Sequence, residues 1–146
     1  KAPAAWPELC YDPGDGVRNM TAILIIGDLI VLYLFMMFGR MSHEESLHWL
    51  AIGETAAPFV VGWLIAAVLV GAYKLEKIET YAGSAQKAFL AWLIGVPLGL
   101  IIRALILQRW FHWSFIAITM VGTLVFVLVW RLVFTFWLQK RSRSAG

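Results

Sequence analysis

Four apolar stretches, each about as long as a bilayer is thick, constrain this chain more than any other feature. They run from about Met20 to Phe38, Ala56 to Tyr73, Ala88 to Leu107 and Phe115 to Leu138. A hydrocarbon core about 30 Å thick needs roughly 20 helical residues at 1.5 Å each. In lipid a spanning segment must satisfy its own backbone groups, so each stretch predicts a helix. The expected fold is an all-α membrane protein with four transmembrane helices. Of the 146 residues, 61% are hydrophobic and 14% charged. That is too much apolar surface for a water-soluble core of this size. A soluble globular domain, a disordered chain and a free nucleic-acid-binding module are excluded.

What lies outside the spans is short. Residues 1–19 hold Pro3, Pro7, Pro13, Gly14 and Gly16, which favour extended and turn geometry, so an extended arm is expected. Asp12 to Gly16 looks faintly like a calcium loop, but Ile23 stands where the bidentate Glu belongs, and no calcium site is expected. The spans occupy residues 20–138, and residues 139–146 form a basic tail. In the first connection, Ser42 and Glu45 have capping-box spacing ahead of Leu47, Trp49 and Leu50. This predicts a short interfacial helix over Ser42 to Ile52. In the second connection, Gly83 is placed to end helix two and Ser84 to cap helix three.

The charges are distributed unevenly. Lys1, Arg18, Lys74, Lys77, Lys87, Lys140, Arg141 and Arg143 fall in the arm, the second connection and the tail, eight residues on one expected side. Arg40 and Arg109 are the two on the other. By the positive-inside rule both termini face a cytoplasm-, stroma- or matrix-like compartment. Trp49, Trp110 and Trp113 then mark the opposite interface. The basic tail beside a span suits anionic lipid or a partner protein. The single Cys10 allows no intrachain disulfide.

Three charges fall inside the spans: Asp28, Arg103 and Arg131. Each costs roughly 2.5–3.5 kcal/mol near the membrane centre, so each needs a partner or water. Helical rise puts Asp28 about 12 Å and Arg131 about 10 Å from the same side, so they can pair if helices one and four are neighbours. Arg103 lies roughly 6 Å from the other side, where Glu54 is its expected partner and Glu44 or Glu45 are substitutes. The Asp28–Arg131 pair can serve as a proton or ion relay or can fix helix order. The second reading is favoured, because no further acid lies at that depth.

Small residues recur at four-residue spacing. Gly95 and Gly99 form one step, Gly62 and Ala66 a second, and Ala67 and Gly71 a third. Such faces let helix backbones approach closely, either within the chain or against another subunit or a pigment. Thr119, Thr123 and Arg131 share a face of helix four, and Pro97 is expected to kink helix three. The histidines His43, His48 and His112 all map to the far side. Interfacial hydrogen bonding is their default role, with single-histidine ligation of a pigment as the sharper one. Their spacing suits no metal site. No phosphate loop, nucleophile elbow, paired acids or nucleophile–base set is present, so an enzyme is not expected.

Gly27-Asp28, Gly39-Arg40-x-Ser42-His43 and Thr55-Ala56-Ala57-Pro58-Phe59-x-x-Gly62-Trp63 resemble the signature of an uncharacterised family, domain of unknown function 3054. Pro97-Leu98-Gly99, Arg103 and Trp130-Arg131 continue the resemblance, which covers roughly residues 20–135. It implies a four-helix membrane unit with recurring in-membrane Asp and Arg, and it carries no catalytic role.

The functional expectation is a non-enzymatic accessory subunit of a larger membrane complex, in contact with lipids and other membrane subunits and not with nucleic acid. The chain opens on Lys1, which fits either a removed targeting segment or a trimmed sequence. The first case suits an organellar energy-converting complex. A photosystem in a chloroplast thylakoid is the concrete expectation, with chlorophyll or carotenoid against the Trp and Phe side chains. The alternative is a small homo-oligomeric transporter or channel using Asp28, Arg103 and Arg131.

Overall fold

A computed structural model describes residues 13–144. Its helices are α1 (Pro13–Ser42), α2 (Trp49–Leu69), α3 (Tyr81–Leu107) and α4 (Trp113–Ser144), with one 3-10 turn, Leu75–Lys77, between α2 and α3. No strand is present among the described residues. All four helices are long and apolar enough to cross a membrane, with mean hydropathy of 1.8 to 2.4 over their most apolar windows. The shortest, α2, has 21 residues, which at 1.5 Å each reaches about 30 Å.

Several local expectations are corrected. The first helix begins at Pro13, inside the expected arm, because proline is pre-set for the first helical turn and lacks only a donor left unpaired there. Residues 1–12 lie outside the described part. The basic tail is helical as far as Ser144. No interfacial helix forms over Ser42 to Ile52. Ser42 ends α1 and its hydroxyl donates to the Phe38 carbonyl at 3.0 Å instead of capping a new helix. Glu45 pairs with Arg40 at 2.9 Å, and the Arg40 Nε donates to the Ser46 carbonyl at 2.9 Å. The needs of that guanidinium outweigh the capping box, and the segment becomes a turn. In the second connection α2 already ends at Leu69, and Lys87 Nζ donates to the Val70 carbonyl at 2.8 Å. Thr80, not Ser84, caps α3, accepting from the Gly83 amide at 3.1 Å.

The helices form a closed ring in which each packs on its neighbours in sequence and α4 returns to α1. The α2–α3 contact is the most extensive. Its cause is the absence of side chains. A Cβ on Gly62 would lie 2.7 Å from the Gly99 amide nitrogen and closer still to the Gly95 carbonyl oxygen. A Cβ on Gly99 would lie 2.8 Å from the Phe59 Cα, and one on Gly95 3.0 Å from the Trp63 Cα and 3.2 Å from the Ala66 Cβ. Backbone therefore meets backbone across this seam, with Pro58 and Pro97 each inside its own continuous helix. On the α1–α4 side the glycines accept rings instead. Gly27 receives the Trp130 indole and Gly122 the Phe35 ring. The main core gathers Phe59, Trp63, Trp92, Val96 and Val127, and a smaller cluster joins Leu24, Ile78 and Phe134.

Gly62→Ala is expected to lower stability by about 1–3 kcal/mol through overpacking, because the neighbours it meets are backbone and cannot swing away. Gly53→Ala in the same helix meets nothing within 4 Å and is expected to be neutral or to stabilise by up to about 1 kcal/mol. Thermal unfolding in a neutral detergent separates the two.

Candidate functional site

The polar centre of the bundle draws on all four helices, with two residues, Trp130 and Arg131, from α4. Asp28 on α1 and Arg131 on α4 are both 0% exposed. Arg131 meets the carboxylate with two parallel bonds, Nε to Oδ1 at 3.1 Å and Nη2 to Oδ2 at 2.6 Å. Two indoles complete it. Trp130 Nε1 donates to Oδ1 at 3.0 Å, and Trp63 Nε1, from α2, donates to Oδ2 at 3.1 Å. A carboxylate offers about four lone-pair sites, and all four are answered here. Gly27 is what lets the Trp130 indole lie against α1 and reach its neighbour Asp28.

The guanidinium is held as closely. Its Nη1 donates to the Ala72 carbonyl at 2.8 Å, in the chain just beyond α2. Its plane lies near the Trp63 and Tyr73 rings, at 5.9 and 5.4 Å from their centroids, as cation–π attraction favours. Trp63 Nε1 is shared with the Tyr73 hydroxyl at 3.2 Å. Tyr73 lies past the end of α2, and burial, reinforced by the Asp28 carboxylate, pushes its phenol well above the usual range. It stays protonated. The Arg131 carbonyl accepts from Thr135 Oγ1 at 2.9 Å and from Ser84 Oγ, on α3, at 3.4 Å.

The chemical capacity of this centre is narrow. Neither charged group touches solvent, and the phenol beside them does not give up its proton. A relay needs a donor on one side and an acceptor on the other, and the chain itself fills both positions. The arrangement joins α1, α2, α3 and α4 through one buried pair.

The other predicted residues lie toward the opposite end. Arg103 does not pair with Glu54, a correction of the sequence expectation. Among the described residues Arg103 makes no ion pair, and its Nε is buried without an acceptor. The reason is competition: Glu45 is already bonded to Arg40, whose Nη1 also donates to Thr55 Oγ1 at 3.0 Å. Arg103, Arg40, Glu54 and Thr55 line one groove of about 600 Å³ between α2 and α3. His43, His48, His112, Trp110 and Trp113 are exposed in the α1–α2 and α3–α4 connections or at the start of α4. No group of three His, Cys, Asp or Glu side chains suited to a metal occurs among the described residues.

Sequence reasoning missed the two indole donors, Trp63 and Trp130. The signal was present in the lone-pair count of Asp28, which one arginine cannot exhaust. It also missed the link from Trp92 Nε1 to Thr123 Oγ1 at 3.2 Å, which ties α3 to the threonine face of α4.

A ring of four apolar helices closed around a saturated Asp–Arg pair defines a four-helix protein of multi-pass membrane type. The chain belongs to the family described as Protein of unknown function (DUF3054), matched over residues 25–134. That stretch contains both Asp28 and Arg131. No curated protein and no solved structure matches the chain.

Asp28→Asn leaves a guanidinium buried without its counter-charge and is expected to cost about 3–5 kcal/mol. Replacing both partners, Asp28→Leu with Arg131→Met, is expected to recover most of that loss. Unfolding of the single and double variants in detergent measures the coupling.

Proposed function

We propose that this protein is a non-enzymatic integral membrane subunit that acts through lateral contacts within a larger membrane complex. The observation that carries the reading is the closed polar centre. The buried centre fills all four lone-pair sites of the Asp28 carboxylate internally, leaving the outer faces for contacts. The most apolar window of α4 is only 22% buried, and Ile118, Val121, Val125, Val129 and Phe136 are exposed along it. In this reading the eight basic residues set the orientation, with both termini on the cytoplasm-, stroma- or matrix-like side.

The finer form of the proposal is a photosynthetic complex of a chloroplast thylakoid. It is supported by exposed imidazoles and indoles at one end, which suit chlorophyll ligation or carotenoid packing from outside the bundle. A small homo-oligomeric transporter or channel is the second reading, favoured by the groove beside Arg103.

Mild-detergent purification from the native membrane is expected to yield the chain with other membrane subunits in fixed ratio. In the thylakoid form, pigment absorption accompanies it and falls when His43, His48 and His112 are replaced by Gln. A pure homo-oligomer that moves solute after reconstitution, with flux lost in Arg103→Gln, replaces the subunit reading with the transporter.

A further inference from the structure

Arg103 is the charge that the fold leaves unanswered. It lies on α3 four residues before Leu107, roughly 6 Å inside the helix end. That depth is where lipid headgroups meet acyl chains. Its Nε is buried with no acceptor, and the guanidinium lines the α2–α3 groove. A buried donor requires an acceptor, and an unpaired charge within a membrane span requires a counter-charge. The described residues supply neither. Arg40, the other cation of the groove, is already bonded to Glu45, Ser46 and Thr55. Glu54 lies in the same groove without pairing with either arginine.

The rest of the groove is apolar. Pro58 and Val61 continue the α2 wall from Arg103 toward the membrane centre, so a ligand that fills it has a charged end and a hydrocarbon end. A planar guanidinium fork suits an oxyanion with two acceptor oxygens, as on a phosphate. We propose that this groove binds an anionic phospholipid, its phosphate on Arg103 and an acyl chain along Pro58 and Val61. The site is separate from the basic end formed by Lys140, Arg141 and Arg143, and it stands whether or not the subunit reading does.

The test uses the full chain in neutral detergent, with thermal unfolding and native mass spectrometry as readouts. Phosphatidylglycerol is expected to raise the Tm and remain as a one-to-one adduct. Phosphatidylcholine keeps the phosphate but carries a compensating cation, and is expected to bind about tenfold more weakly because its headgroup has no net charge to offset the unpaired arginine. Inorganic phosphate alone is expected to leave the Tm unchanged. Arg103→Gln should reduce phosphatidylglycerol binding about tenfold while the lipid-free Tm holds or rises, since it removes an unpaired charge. Glu54→Gln should tighten binding by removing a nearby negative charge. Wild-type affinity in Arg103→Gln, or equal binding of the two lipids, overturns the proposal. Equal stabilisation by inorganic phosphate assigns the groove to a free anion and overturns the lipid assignment.

Discussion

A carboxylate and a guanidinium can share an apolar interior only when both are desolvated together and every remaining lone pair and N–H finds a partner. Meeting that condition governs how the helices of this bundle are arranged. Asp28 sits on the first helix and Arg131 on the last, so the bond between them closes the ring. The two indoles that complete the carboxylate come from α2 and α4, and the Ala72 carbonyl that also bonds the guanidinium comes from the chain after α2. A shift of one helix by one turn would move a donor about 5.4 Å and strand it in lipid. The pair therefore sets register as well as neighbour order.

The small residues follow from the same geometry. Trp63 can reach Asp28 only because it projects from an α2 that lies backbone to backbone against α3, and Gly62, Gly95 and Gly99 permit that approach. Gly27 does the equivalent for Trp130. Glycine beside a hydrogen-bonding side chain recurs in Gly27-Asp28 and Gly62-Trp63. In each case the absent side chain admits a neighbour and the next residue bonds across. In lipid, where burying apolar surface between helices gains little, close packing and saturated hydrogen bonds are the available sources of cohesion.

The spans were legible in the sequence because 20 or so apolar residues in a row have few other uses. The Asp28–Arg131 meeting was legible because helical rise fixes depth and only one acid lay at that level. What was not legible has a common cause. Ser42, Glu45, Gly83 and Ser84 were read as local signals, each a cap or a breaker judged by its neighbours in sequence. Tertiary partners decided them instead. Glu45 went to Arg40, Ser84 became part of the first turn of α3 and bonded the Arg131 carbonyl, and Gly83 entered α3 to give its amide to Thr80. Glu54 was assigned to Arg103 by matching depth alone, which cannot see that Arg40 would take the nearby acid and leave Arg103 without one.

That outcome separates the two in-membrane arginines by kind. Arg131 has its carboxylate, a backbone carbonyl and two aromatic faces, so a ligand has nothing to offer it. Arg103 carries the same charge near the other end of the bundle with no ion-pair partner among the described residues. Stability alone would favour replacing such a residue with an apolar one, since an unpaired cation in lipid is a cost without an internal return. A fold that saturates one arginine so fully has the means to saturate a second. Leaving Arg103 open on the groove wall therefore points outward, to an acceptor that the membrane or a partner brings.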